Sequence, residues 1–419
     1  MSDSVNTGLV PERIDVAIVG GGQAGLATSR ELAAAGVEHV VFERARIGET
    51  WRGWWDTFCL VTPNWSVQLP GRHYDGDDPD GFMVRDDIVA YLERYADAFD
   101  LPVRDHTEVE SLDLSPGGGF DLRTSGGDVH ATAVVVATGA YQRAHRPSGA
   151  DTLPADVPRL DVEDYRNPDE LPPGAVLIVG SGQSGCQIAE ELLSAGREVF
   201  LSCGKAPWAP RRIADRDVVW WAMEDGFFDQ TPADVPWPAA RMVANVVTTG
   251  HDGGHDLHLR TLRAAGATLL GHFLGADGRR ATFADDLVAS VAWGDDRCRD
   301  LMDGIRRVAA VRDLPLSDID EPEQFHGSAP TELDLTRVGT VLFAGGYRPD
   351  YGSWMRVPGA YDDLGFPVHE DGTSTAAEGL HFVGVHFLRT RKSSLLLGVG
   401  EDATAVASGI AARLGAGGS

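Results

Sequence analysis

Lysine is almost absent from this 419-residue chain: only Lys205 and Lys392 occur, and arginine supplies the rest of the basic charge. Cysteine is sparse as well. Cys59, Cys186, Cys203 and Cys298 are scattered and form no CxxC or CxxxxC pair. That spacing argues against a redox dithiol and a disulfide framework, and it fits a reducing cytoplasm. No run of about 18 apolar residues occurs, and residues 1–13 lack an apolar signal-peptide core, so neither a membrane span nor export is expected. Acidic residues outnumber basic ones 63 to 36, and the net charge of -27 repels phosphate backbones and anionic lipid. Nucleic acid and membrane partners are therefore not expected.

What is present is a globular composition, 43% hydrophobic and 24% charged, carrying two glycine fingerprints. GGGQAG at 20–25 follows the apolar run 14–19, and GSGQSG at 180–185 follows the apolar run 175–179; each precedes a segment with helical apolar spacing. A strand, a glycine turn and a helix in this order bind the pyrophosphate of a dinucleotide, and two copies imply two dinucleotide sites in one chain. In the first, Gly20 permits the tight turn, Gly22 admits the phosphates and Gly25 lets helix and strand pack closely. Glu43 ends the next strand, His39 to Phe42, where a carboxylate binds ribose hydroxyls and favours an unphosphorylated ribose such as that of FAD.

The second turn uses Gly180, Gly182, Gln183, Ser184 and Gly185 in the same way. After its next strand, 198–201, the acid is missing and Ser202 stands near that position, followed by Lys205, Arg211 and Arg212. Loss of the carboxylate and gain of cations suit a 2′-phosphate, so NADPH is expected over NADH. Pairing of the two arginines with Asp215 and Asp217 on a surface loop is the open alternative.

Apolar strands at 134–139 and 341–346 end in small residues and read as returns of the chain to a sheet. The expected fold is α/β with two Rossmann-like dinucleotide-binding domains, the NADPH domain inserted in the FAD domain. Residues 1–165 and 340–419 form the FAD part, and 170–335 the NADPH part. Within the latter, the aromatic-rich insertion 207–238 (Trp208, Trp220, Trp221, Phe227, Phe228, Trp237) reads as a lid or a homodimer contact. His251, His255 and His258 lie near Asp252 and Asp256, but Gly253 and Gly254 interrupt any helix that would align them, and no metal site is expected.

The chain resembles the class B flavin-dependent monooxygenases, the group of flavin-containing and Baeyer-Villiger monooxygenases. The stretches that carry the resemblance are GETWR (48–52), LPG (69–71), ATG (137–139), DYRNP (164–168), GSGQSG (180–185), GYRP (346–349) and GVGED (398–402). They occur in the family's order over most of the chain. The family's FxGxxxHxxx(W/F/Y) fingerprint is not kept: counting back from Tyr165 puts Ala155, Val157 and Asp161 where Phe, Gly and His belong.

The resemblance implies that NADPH reduces FAD, that O2 adds at flavin C4a, and that retained NADP+ shields the peroxyflavin. It also implies FAD contacts from Arg44, Thr50, Trp51, Gly139 and Leu396, with Asn64 and Lys392 near the chemistry. Trp51, Trp54, Trp55, Phe58 and Trp65 follow the first unit and suit an apolar or aromatic small-molecule substrate, with core packing as the competing role. Two other functions stay open: an NAD(P)H-dependent FAD reductase or oxidase serving a quinone, a carrier or O2, and a non-catalytic cofactor-binding sensor.

Overall fold

The computed structural model describes residues 12–235, 237–242, 245–316 and 319–417. Strand β1 (Glu12–Val19) starts with exposed charged residues and becomes an apolar run at Val16–Val19, where both of its faces are covered; Val16, Ala17 and Ile18 are wholly buried. Helix α1 (Gln23–Ala34) follows the glycine turn and leads to β2 (His39–Phe42). β2 pairs parallel to β1 on one side, and β3 (Gly127–Val136) pairs parallel on the other.

A second parallel sheet is built from the middle of the chain. Its elements are β4 (Arg159–Asp161), β5 (Ala175–Val179), α2 (Gln183–Ser194), β6 (Val199–Ser202), α3 (Val218–Glu224), β7 (Thr268–Leu270), α4 (Leu287–Arg312) and β8 (Val338–Phe343). The strand order is β4-β8-β5-β6-β7, with every neighbouring pair parallel. The chain then returns to the first sheet, where β9 (Leu380–Phe382) pairs with β3, and it ends in α5 (Val399–Gly417), which packs on α1.

Pairing of β4 and β8 corrects two expected boundaries, because 159–161 and 338–343 join the second sheet rather than the first. The physical reason is plain. A short apolar strand ending in small residues says that it is buried, not in which sheet.

The start of the aromatic insertion is packed into the core rather than free as a lid, while Trp237 at its end is exposed. Ala209, Ile213, Val218 and Trp221 are buried against one face of α4, beside Leu301, Met302 and Ile305. The Trp221 indole N–H donates to the Ile213 carbonyl at 2.9 Å, so the ring is satisfied inside the core. α3 is thus a fixed layer of the second unit.

Candidate cofactor site

Helices α1 and α2 begin in the same unusual way. Gly22 and Gly182 occupy the N-cap positions, neither supplies a side-chain cap, and neither helix has an acidic residue in its first turn. Their leading N–H groups and positive dipole ends are therefore offered to an external anion. At the first turn, Gly20 has φ +111° and packs on the Ala137 carbonyl, while a Cβ at Gly22 would meet no atom within 4 Å. Open space at Gly22 is what an approaching pyrophosphate requires.

Glu43 is tied to the first turn by both of its carboxylate oxygens. One carboxylate oxygen accepts from the Gly21 N–H at 2.7 Å and the other from the Ala45 N–H at 3.0 Å, with the side chain almost fully buried. Gln23, not anticipated from the sequence, joins three segments: its amide donates to the Ser394 carbonyl at 3.2 Å and accepts from the Trp51 indole at 3.0 Å. Arg44 and Thr50 are exposed at the same edge, and Gly139 has φ +69° and accepts from the Tyr351 hydroxyl at 2.7 Å. Among the described residues the N–H groups of Leu396 and Leu397 have no acceptor, so this stretch, just ahead of α5, presents bare donors.

Asp402, in the first turn of α5, is buried behind that stretch. Burial lifts its carboxyl from the ordinary 3.8 to about 6, against the Ser393 hydroxyl and Arg389, which favour the charge. A carboxyl with a raised folded pKa binds its proton more tightly in the folded chain. Its stabilising contribution is complete below pH 3.8 and is lost as pH rises to about 6. Asp402→Asn is expected to remove a loss of roughly 2–3 kcal/mol across that window. Melting temperatures of mutant and wild type should diverge through the window and run parallel above it; a constant difference at all pH values would contradict the assignment.

The second turn repeats the first with one change. Gly180 has φ +120° and packs on the Ala344 carbonyl, and Ser181 stands where Gly21 stands in the first unit. Register identifies the ribose position: Val19 pairs with Phe42 and Val179 with Ser202, so the counterpart of Glu43 is Cys203, fully buried. Ser202 is therefore one residue early, and its hydroxyl is committed to the Gly271 carbonyl at 2.9 Å. Ser184 is half-buried in the first turn of α2. The Gln183 amide does not face a ligand: both its ends bond the backbone of Thr248, accepting from its N–H at 3.1 Å and donating to its carbonyl.

Three other expected contacts, those of Arg211, Asn64 and Lys392, are corrected. Arg211 is 1% exposed and bonds Asp217 through Nε at 2.9 Å and a terminal nitrogen at 2.5 Å. Its other terminal nitrogen donates to the Val61 carbonyl at 2.8 Å, joining the second unit to the first. Arg212 is exposed on the same hairpin and leans toward the Gly253 carbonyl at 3.4 Å. Asn64 is buried, its amide taken by the Asp78 carbonyl at 2.9 Å and the Met83 N–H at 2.7 Å, so it stitches its own loop. Lys392 lies between Asp229 at 2.9 Å and Glu401 at 2.6 Å, where two carboxylates absorb its charge. Lys205 is exposed one residue beyond Gly204.

The aromatic segment divides. Trp55 is 2% exposed and belongs to the core of the second unit. Trp54 stacks on Phe58 at 5.7 Å and meets Tyr347 edge-on at 6.1 Å, while Phe58 touches the cores of both units. A half-buried wall of Trp51, Trp54 and Phe58 thus stands where the units meet. The three histidines go separate ways: His255 pairs with Glu190 at 2.6 Å, His258 caps the helix Leu259–Ala264, and His251 is exposed beside Asp252. A groove of about 710 Å³, lined by Pro168, Gly174, Arg197 and Arg337 among others, opens at the amino ends of β5 and β6, away from both glycine turns.

Two glycine turns, each at the carboxyl end of a parallel strand in its own sheet, define an oxidoreductase of the two-dinucleotide flavoprotein class. Comparison with known proteins narrows the class. A family model described as pyridine nucleotide-disulphide oxidoreductase matches residues 17–220. The chain is 31% identical over 392 residues to an uncharacterized CzcO-like oxidoreductase of Geobacillus kaustophilus, covering 93% of this chain and 96% of that one. It is 30% identical over 229 residues to flavin-containing monooxygenase 5 of Homo sapiens, covering 48% of this chain and 42% of the relative.

Among solved structures, a flavin-containing monooxygenase from Stenotrophomonas maltophilia superimposes with a TM-score of 0.68 at 19% identity, over 96% of this chain and 99% of that one. A bacillithiol disulfide reductase from Staphylococcus aureus gives 0.63 at 13% identity, over 96% and 99%. The chain belongs to the family of the CzcO-like oxidoreductases, and its fold is that of the flavin-containing monooxygenase structure.

Proposed function

We propose that the chain is an FAD- and NADPH-dependent monooxygenase that uses O2 to oxygenate a small apolar or aromatic organic molecule at nitrogen, sulfur or carbon. The observation that carries this reading is the pair of uncapped helix N-termini with unequal ribose positions: a carboxylate at Glu43 for FAD, none at Cys203 for a phosphorylated nucleotide. Bound FAD, reduced by NADPH, supplies the activation of O2. The chain's own residues bind and exclude water. The N-terminus of α1 takes the FAD pyrophosphate, Glu43 the ribose hydroxyls and the N–H groups of Leu396 and Leu397 the negative end of the ring. Trp51, Trp54 and Phe58 wall off solvent where the substrate would enter.

The fold likeness to a disulfide reductase keeps that chemistry as the second reading, and the cysteines weigh against it. All four are free and buried, and burial pushes the thiols up, Cys59 to about 11 and Cys186 and Cys298 to about 12. Cys203 is raised well above the ordinary value by the same cause. A thiol held protonated and out of solvent is a poor nucleophile toward a disulfide.

The test is anaerobic reduction of the FAD-loaded protein with NADPH, followed by rapid mixing with O2 while flavin absorbance and peroxide are recorded. A transient distinct from both oxidised and reduced flavin, with peroxide released slowly, is expected. Immediate reoxidation with one peroxide per flavin would overturn the monooxygenase reading and favour an oxidase or reductase.

A further inference from the structure

We propose that His272 reads the 2′-phosphate of the nicotinamide dinucleotide in the second unit, with Lys205 as its partner; this rests on the NADPH reading above. β6 and β7 end in register, Ser202 opposite Leu270, and the Cys203 N–H donates to the Leu270 carbonyl at 2.9 Å. Two residues beyond that pair, Gly204 and His272 lie side by side: a Cβ at Gly204 would stand 3.2 Å from His272 Nε2. The Gly204 N–H also donates to the Ser181 hydroxyl at 3.0 Å, which holds it against the glycine turn. His272 Nε2 therefore faces the strip between the turn and the end of β6, where the ribose of a bound dinucleotide lies.

The ring is fixed from behind. Asp286 accepts from the His272 backbone N–H at 3.0 Å and bonds the ring Nδ1 at 2.5 Å, and the His272 carbonyl accepts from the Ala284 N–H at 2.8 Å. With Nδ1 held by a carboxylate, Nε2 is the nitrogen left for a ligand, and a doubly protonated ring donates from it to a phosphate oxygen. Both oxygens of Asp286 are engaged by His272, so this carboxylate is offset by the ring beside it. In the first unit the matching positions hold Arg44 and Glu43, and the buried Glu43 carboxylate repels a ribose phosphate. Here they hold Cys203 and Gly204, with His272 above and exposed Lys205 next in the chain, so the repelling carboxylate is gone and the cation stands one residue later than Arg44 does in the first unit.

The experiment is calorimetric titration of the FAD-loaded protein with adenosine 2′,5′-bisphosphate and with 5′-AMP, which needs no turnover. Wild type is expected to prefer the bisphosphate. His272→Ala should weaken it about tenfold or more, the usual size of a lost charged hydrogen bond, and leave 5′-AMP within about twofold. Lys205→Ala should act in the same direction. His272→Glu should abolish the preference.

A wild type that fails to prefer the bisphosphate would overturn the NADPH reading and this assignment with it. A wild type that discriminates, with His272→Ala discriminating equally well, would overturn the assignment alone. Equal loss of both ligands in His272→Ala would also overturn it, marking His272 as a support of the turn.

Discussion

Gly22→Ala is expected to purify as a folded, colourless protein, whereas Gly25→Ala is expected to lose both its flavin and much of its stability. The two glycines are three residues apart and do opposite jobs. A Cβ at Gly22 meets no protein atom within 4 Å, so the fold tolerates it; the cost is that of a poorer N-cap, at most about 1 kcal/mol. The added methyl does occupy the space through which the pyrophosphate reaches the bare N–H groups of α1. FAD affinity should fall by at least about 100-fold.

At Gly25 the same methyl would lie inside the Gly20 carbonyl oxygen, and backbone on both sides must part to admit it. Forced overpacking between α1 and β1 costs about 3 kcal/mol, enough to lower the melting temperature by several degrees. Gly185 stands in the same relation to Gly180, so Gly185→Ala should stay yellow and lose NADPH binding. Flavin content by absorbance and melting curves on the same samples check the first two, and titration with NADPH checks the third. Retention of FAD by Gly22→Ala would contradict the placement of the first site.

Arg211→Ala should destabilise the chain by about 3–5 kcal/mol, while its neighbour Arg212→Ala should change stability by no more than about 0.5 kcal/mol. Both arginines follow the second nucleotide unit, and their burial separates them. Arg211 and Asp217 are 1% and 6% exposed, and removing the guanidinium strands a buried carboxylate that also accepts the Val219 N–H at 2.8 Å at the start of α3. It also frees the Val61 carbonyl of the first unit. Arg212 projects into solvent and loses almost nothing. Denaturant unfolding of the two variants, side by side, measures the contrast; similar small effects would mean that Arg211 is not the buried strut between the units. Pairing of Arg211→Met with Asp217→Asn should recover part of the loss, because it withdraws both charges together.

Much of the cofactor architecture was legible in the residues. Both glycine turns, the strand ending at Glu43 and the apolar runs 14–19 and 175–179 are local signals: each depends on which backbone conformations and burial patterns a few neighbouring residues allow. What a local signal cannot carry is a pairing between distant segments. Strands 159–161 and 338–343 joined the second sheet because of their partners, not their own residues. Asn64, Gln183, Arg211 and Lys392 carry side chains suited to ligands, yet each found its hydrogen-bond or charge partner inside the protein.

His272 is the converse. Nothing near it in the chain marks a nucleotide contact, and only the register of β6 against β7 brings it over Gly204. The sequence by itself determined that the chain carries two turns suited to dinucleotides, because glycine turns and bare helix ends are properties of short stretches of backbone. Tertiary structure alone decided which polar side chains remain available to those dinucleotides, because a buried donor or charge must be satisfied by whatever the fold sets beside it.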